Sequence, residues 1–461
     1  MSNLARAIGS TIRRSGRAAA RGLALASLLL LVALSPRPAE AVTIERVVSP
    51  GGIEAWLVQS DTVPLIAMRF AFLGGSAQDP AGKQGLSYFL SGMLDEGAGD
   101  LKSVDFQERM EELAVKLDFD ATRDIFYGSL QTLTKNQDEA AELLRLALTE
   151  PRFDEDAVER IRKQIVASLK IEANDARKVA ARQWYKLAFA NHPYARPVKG
   201  TLETVRGIAG ADLRAYTKRV MARDTLKVGV VGDIDAKTLG TLLDKIFGGL
   251  PAKGDLKPVE EARTAAGPRR EVVQMNVPQS VAQFGHSGIK RKDEDFVPAY
   301  VLNYILGGGG FNSRLTEQVR EKRGLAYSVY SYLSPYRHGA VYIGSVATEN
   351  KSVGKSLEVI QGELKRMAEK GPTAEELQNA KQYLTGSYAL RFDTSSKIAG
   401  QLLGIQLEDL GIDYIDRRNG LIEAVTLDDI RRVAKRLLDA DALLVTIVGK
   451  PEGLEAKPAG G

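Results

Sequence analysis

Ala211–Asp233 reads ADLRAYTKRVMARDTLKVGVVGD, and Asp428–Lys450, 217 positions on, reads DDIRRVAKRLLDADALLVTIVGK. Without a gap, nine of the 23 positions are identical: Asp212/Asp429, Arg214/Arg431, Lys218/Lys435, Arg219/Arg436, Asp224/Asp441, Leu226/Leu443, Val228/Val445, Val231/Val448 and Gly232/Gly449. Each stretch reads as an amphipathic helix, a short turn and a buried β-branched strand that stops at Gly. A period this long exceeds any solenoid repeat and points to a duplicated domain.

Working outward, Pro251–Arg270 (PAKGDLKPVEEARTAAGPRR) is rich in Pro, Gly, Lys and Glu, lacks an apolar period and reads as the linker between two halves. Each half opens on strands, Ala55–Val58 and Leu65–Phe72 in the first, Glu271–Met275 and Val281–Ser287 in the second. Helices follow: Ser103–Leu117, Gln137–Leu148 and Asp154–Ala173, then Ser352–Lys370, a segment from Thr373 to about Leu390, and Ser396–Leu410. Strands separated by helix pairs, without βαβ alternation, predict an α+β fold. The expected domains are 42–250 and 271–450, with a short tail over 451–461.

Residues 1–41 differ from the rest. Arg6, Arg13, Arg14, Arg17 and Arg21 form a basic start, Gly22–Leu34 is an apolar run of 13, and Ala39-Glu40-Ala41 follows. That order is a secretory signal peptide, with a mitochondrial transit peptide as the alternative and Arg13-Arg14 leaving Sec or twin-arginine export open. The apolar run falls short of the about 20 residues a membrane span requires. The segment carries six Arg and one Glu; without it the chain's 63 bases and 58 acids become 57 of each. A neutral mature chain gives nucleic-acid binding no global support. The absence of Cys excludes disulfides, thiolate metal sites, a Cys nucleophile and a lipid anchor on Cys. The expectation is a soluble periplasmic protein with no membrane anchor after signal cleavage.

Four stretches resemble the M16 (insulinase/pitrilysin-like) metallopeptidases. Gly74–Ser87 (GGSAQDPAGKQGLS) looks like the loop into that family's zinc helix, and His192–Gly200 (HPYARPVKG) like its HPYGRPVxG segment. Gly307–Gly310 with Phe311–Leu315 (FNSRL), then Arg320–Tyr327 (REKRGLAY), resemble its Gly-rich loop and RxxxGLxY block. The resemblance implies two halves of the LuxS/metallohydrolase-like, mitochondrial processing peptidase-like type, closed as a clamshell. Active members carry HxxEH, two His holding zinc and a Glu serving as base. Here Tyr88-Phe89-Leu90-Ser91-Gly92 stands instead, so both ligand positions (Tyr88, Gly92) and the base (Ser91) are changed. The third ligand position falls at Ser168 or Leu169, with Glu172 close by. None of His192, His286 and His338 lies at ligand spacing.

By the same resemblance, Arg320 and Tyr327 grip the substrate's peptide carbonyl; a guanidinium and a phenol can both donate to a developing oxyanion. The plainer reading pairs Arg320 with Glu317 or Glu321 and packs Tyr327 half-buried in a strand, after a helix capped by Ser313 and ended by Gly324. Gly307–Gly310 reads as a flexible hinge or substrate-contact loop, His192 as a turn residue, and Lys290–Asp295 as a solvated turn. Tyr304, Tyr330, Tyr332 and Tyr336 line a cleft or simply pack. The expectation is an M16B-type non-catalytic, substrate-binding subunit of a heterodimeric zinc endopeptidase. It binds no cofactor of its own, and an HxxEH-bearing partner supplies the zinc. Its substrates are peptides or unfolded proteins. The alternatives are an inactive scaffold without a protease partner and a self-contained peptidase with an unrecognised metal site.

Overall fold

A computed structural model describes residues 43–454, so the leader read over 1–41 and the end of the tail lie outside the described residues. In the first half the chain runs β1 (Glu45–Val48), β2 (Glu54–Gln59), β3 (Leu65–Leu73), α1 (Leu86–Ser91), a small hairpin β4 (Gly97–Ala98) and β5 (Leu101–Lys102), and α2 (Ser103–Glu112). It continues through β6 (Lys116–Ala121), β7 (Ile125–Leu133), α3 (Gln137–Thr149), α4 (Glu155–Glu172), α5 (Ala176–Phe189), α6 (Leu202–Arg206), α7 (Gly210–Val220), β8 (Leu226–Gly232) and α8 (Ala236–Phe247). The second half runs β9 (Arg269–Gln274), β10 (Gln279–Ser287), α9 (Phe296–Asn303), β11 (Ala326–Tyr336) and β12 (Gly339–Glu349). Then come α10 (Val353–Lys370), α11 (Ala374–Gly386), α12 (Ser395–Leu407), α13 (Tyr414–Glu423), α14 (Leu427–Leu437) and β13 (Leu444–Gly449).

The duplication extends to strand order. The first sheet is β1-β2-β8-β3-β7-β6 and the second, read from its far edge, is β9-β13-β10-β12-β11. Without β1 the two orders correspond strand for strand. In both, the only parallel pair is the equivalent one, β2/β8 and β9/β13. The identical residues have matching tasks. Asp212 and Asp429 each accept the backbone N–H three residues earlier, at 2.8 and 3.0 Å, closing the first turn of α7 and α14. Arg219 holds Gln78 after β3, and Arg436 holds Asp293 and Asp295 after β10. Gly232 and Gly449 share φ near +150° (151° and 149°), and a Cβ on either would stand about 2 Å from the next strand (2.1 Å from Leu65 O, 2.2 Å from Ser280 Oγ).

Each half has its own core, packed between its sheet and its own helices. The other face of each sheet is covered by a helix from the opposite half. Helix α5 lies on β10 and β13, where Trp184 is fully buried and donates its indole N–H to Leu444 O at 2.9 Å. Helix α12 lies on β3 and β8, where Gln406 donates to Val228 O at 2.9 Å. The two halves thus close on one another as a clamshell whose sides exchange a helix. Residues 251–268 carry no regular structure but are tied down by Lys257 N to Gln78 Oε1 (2.8 Å) and Ala265 N to Ala188 O (2.7 Å).

Several elements differ from expectation, among them the helix read over Ser396–Leu410, which ends at Leu407. The helix read over Ser103–Leu117 ends at Glu112, because Ala114 takes a left-handed turn (φ 51°) and Lys116 opens β6. The segment from Thr373 ends at Gly386 and continues as a 3-10 turn over Ser387–Phe392. The helix after Ser313 is π-wound over Thr316–Glu321, with Lys322 N donating to Glu317 O. Such wide turns are uncommon and concentrate at functional sites.

Candidate functional site

The zinc-helix loop is held by contacts its glycines permit. Gly85 (φ +94°) and Gly200 (φ +76°) press together: a Cβ on Gly85 would stand 2.6 Å from Lys199 O, and one on Gly200 2.1 Å from Gln84 O. Asp79 accepts from Gly85 N and Ser87 N at 2.9 and 3.0 Å, fixing the start of α1. Burial outweighs those bonds and pushes the Asp79 carboxyl up to about 7.

This packing delivers Lys199 to the degenerate site. Its ammonium lies 2.6 Å from Glu172 Oε1, 3.3 Å from Ser168 Oγ and 5.1 Å from the centre of the Tyr88 ring. Burial works against the Lys199 charge, but the Glu172 hydrogen bond and charge outweigh it, and its pKa is raised. Of the two positions open for the third ligand, Ser168 faces this cluster, while Leu169 is buried in the first-half core. Ser91 Oγ donates to Tyr88 O at 2.8 Å, and Gly92 caps the helix. These residues do not fit zinc. The site offers one carboxylate, and a cation already neutralises it. Among the described residues no group of three His, Cys, Asp or Glu could hold a metal ion. Sequence reasoning missed Lys199, although it stands inside the HPYARPVKG motif.

Tyr88 and Lys199 face a cavity of about 1000 Å³ shared by both halves. Arg123 and Asp124 line it from the first half, Arg337, His338 and Glu408 from the second. Arg320 and Tyr327 do not line it. Tyr327 lies at the start of β11, the edge strand of the second sheet, and Arg320 on the π-wound turn Thr316–Glu321 before it. The ladder slips between Ala326 and Ser328, making Tyr327 the bulged residue, 71% exposed rather than half-buried as the plainer reading has it. Arg320 is partly exposed, 3.6 Å from Glu321 and 4.9 Å from the exposed Phe311 ring, while Glu317 pairs with Lys322.

The remaining candidates sort by contact. His192 is a turn residue: Nδ1 accepts from Tyr194 N at 3.1 Å. His286 is buried and stacked on Tyr342, and burial lowers its pKa. Gly307 is no free hinge. It is buried, and a Cβ there would stand 2.2 Å from Ser331 Oγ. The solvated turn at Lys290–Asp295 is instead an ion-pair hub, with Asp295 buried between Arg432 and Arg436. Tyr336 packs against Tyr185 and Tyr194 at the seam, and Tyr304 stacks on Tyr383. Tyr330 and Tyr332 stack on each other and stay partly exposed along β11.

Residues 57–202 match the sequence profile described as insulinase (peptidase family M16), and 208–384 that described as peptidase M16 inactive domain. A "non-peptidase homolog YmxG" of Helicobacter pylori is 29% identical over 395 residues, covering 85% of this chain and 90% of that protein. An "uncharacterized zinc protease YmxG" of Bacillus subtilis is 26% identical, covering 88% and 98%. The crystal structure of a peptidase M16 inactive domain from Pseudomonas fluorescens superposes with a TM-score of 0.83 at 25% identity, over 90% of this chain and 99% of that one. Two matching domains in tandem, one fold and a ligand set replaced position by position lead to one assignment: the chain belongs to peptidase family M16, as one of its inactive homologues.

Proposed function

We propose that this chain is the non-catalytic, substrate-binding subunit of a two-chain zinc endopeptidase, exported to the periplasm by the leader read over 1–41. The observation that carries the proposal is a contrast within the chain. A Lys199–Glu172 pair stands beside the changed zinc positions, while Tyr327 is exposed at a bulge of the edge strand and Arg320 is partly exposed on the π-wound turn that leads into it. Exposed donors of this kind can meet a peptide carbonyl held at a cleft formed with a second chain. As that carbonyl oxygen gains negative charge, the Arg320 guanidinium and the Tyr327 hydroxyl donate to it. An unpaired edge strand can also take the substrate as an added strand. Zinc and the general base belong to the HxxEH-bearing partner.

The test is to purify the mature chain with and without such a partner. Activity is expected only from the pair. An Arg320→Ala/Tyr327→Phe double variant should lower the pair's kcat/KM by about 10²-fold or more, the size of losing an oxyanion donor. Peptidase activity of this chain alone, or an unchanged kcat/KM in the double variant, would sink the proposal. The name of the Helicobacter pylori relative favours a second reading, a peptide-binding scaffold with no protease partner; under it the chain binds peptides and no HxxEH chain copurifies.

A further inference from the structure

A second cavity, of about 350 Å³, opens beside β11 between α9, α12, α13 and the turn Ser387–Phe392. Its walls are largely aromatic, formed by Phe296, Tyr300, Tyr332, Tyr388 and Tyr414. Three guanidiniums line it: Arg291, Arg391 and Arg418. Arg418 is buried, donates only to neutral oxygens (Leu384 O and Asn419 Oδ1, both 2.9 Å) and lies 4.0 Å over the Tyr388 ring. Arg291 donates to Tyr414 Oη at 2.8 Å and lies 4.4 Å over Phe296. Among the described residues none of the three forms a salt bridge with a carboxylate. The one acid in the lining is Glu408, partly buried between this cavity and the larger one. Its pKa is raised by burial against the opposing charges of Arg291 and Lys292.

Burying a guanidinium against neutral acceptors alone is unfavourable, and a carboxylate satisfies its planar fork in two bonds. The space is at the small end of ligand pockets, which run about 300–1000 Å³, so it suits one or two residues rather than a chain. Tyr332 ties the cavity to the strand already described. It lies five residues beyond Tyr327 on β11, on the order of 17 Å at about 3.3 Å per residue.

We infer that this cavity seats the free C-terminal carboxylate of a peptide ending in an aromatic or large aliphatic residue, its side chain against the rings and its carboxylate at Arg391 and Arg418. The inference rests on the peptide-binding reading above. It places the bound end about five residues past the carbonyl held near Tyr327.

The experiment compares fluorescent hexapeptides ending in Phe, as free acid and as amide, binding to the mature chain by anisotropy. The free acid should bind at least about tenfold tighter, and Arg391→Ala should abolish the difference. Arg391 is exposed at the rim, so its variant carries the test even where Arg418→Gln does not fold. Equal affinity for acid and amide overturns the inference. So does N-acetylphenylalanine binding as tightly as the hexapeptide, which would make the cavity a small-acid site. The Arg320→Ala/Tyr327→Phe variant should keep the acid preference. If the two-chain complex cleaves while acid and amide bind alike, this inference fails and the peptidase reading stands. If the preference appears without any partner activity, the reverse holds.

Discussion

Lys199 shows how one side chain can close a metal site. An ammonium 2.6 Å from Glu172 repels a second cation and consumes the one nearby carboxylate. A chain carrying Tyr88→His, Ser91→Glu, Gly92→His and Ser168→Glu should therefore remain zinc-free while Lys199 is present. It should hold close to one equivalent once Lys199→Ala is added. Metal analysis after dialysis reads both, and zinc retained with Lys199 in place would contradict this account. Asp79 sets a pH dependence. Folding raises its pKa, so the folded state holds the proton more tightly than the unfolded chain. The stability it supports is complete below about pH 4 and is lost as pH rises through 7. Asp79→Asn should flatten that decline, read as the difference in thermal midpoint between about pH 4 and pH 8; parallel profiles would refute it. The loss of HxxEH was legible because Tyr88, Ser91 and Gly92 stand at fixed spacing behind a recognisable loop. Lys199 was not, because the Gly85–Gly200 contact that delivers it is tertiary. Spacing alone left Ser168 and Leu169 tied, and only burial of Leu169 separates them.

At the scale of elements, the exchanged helices α5 and α12 explain which strand residues are small. A Cβ on Gly229 would stand 2.8 Å from Ala399 O and 3.0 Å from Leu402 Cβ, so α12 rests directly on the β8 backbone. At the equivalent place in the other half Thr446 donates its hydroxyl to Ala180 O on α5 at 2.8 Å. Gly229→Ala should therefore destabilise by about 1–3 kcal/mol, the range for overpacking against backbone. Gly362, exposed inside α10 with nothing within 4 Å, gives the opposite sign: Gly362→Ala should stabilise by about 0.5–1 kcal/mol. Thermal or denaturant melts of both variants check the contrast. The duplicated helix–strand unit could be read from sequence because its apolar period and terminal Gly are local. The exchange could not. Of the two exchanged helices only α12 was read, as Ser396–Leu410, and Ala176–Phe189 was not; nothing in a periodicity says which half's sheet an apolar face covers. Ala114 likewise ended α2 early through a left-handed turn that no Gly announced.

The exchange fixes how the whole molecule must behave. Each sheet has one face on its own core and the other under a helix of the opposite half, so neither half is complete alone. Trp184, Phe189 and Tyr194 of the first half share a cluster with Val341, Ile343 and Leu444 of the second, all of them buried. Val179 and Ala180 join Val281, Ala347 and Val448 in another. Separating the halves would expose these faces at roughly 25 cal/mol for each Å² of apolar surface. The buried face of each sheet would also become an aggregation-prone surface. Two consequences can be measured. The mature chain should unfold in a single calorimetric transition, because opening one half removes a helix from the other. Fragments 43–260 and 261–454 should be insoluble when produced separately and should reassemble when produced together, since the break falls in a segment without regular structure. Two resolved transitions, or a first-half fragment that is soluble and monomeric alone, would show that the exchanged helices decorate the sheets rather than complete them. The same coupling bears on binding. The large cavity, β11 and the aromatic cavity are all bounded by elements that the exchange locks together, so a peptide would meet a preformed surface rather than order one.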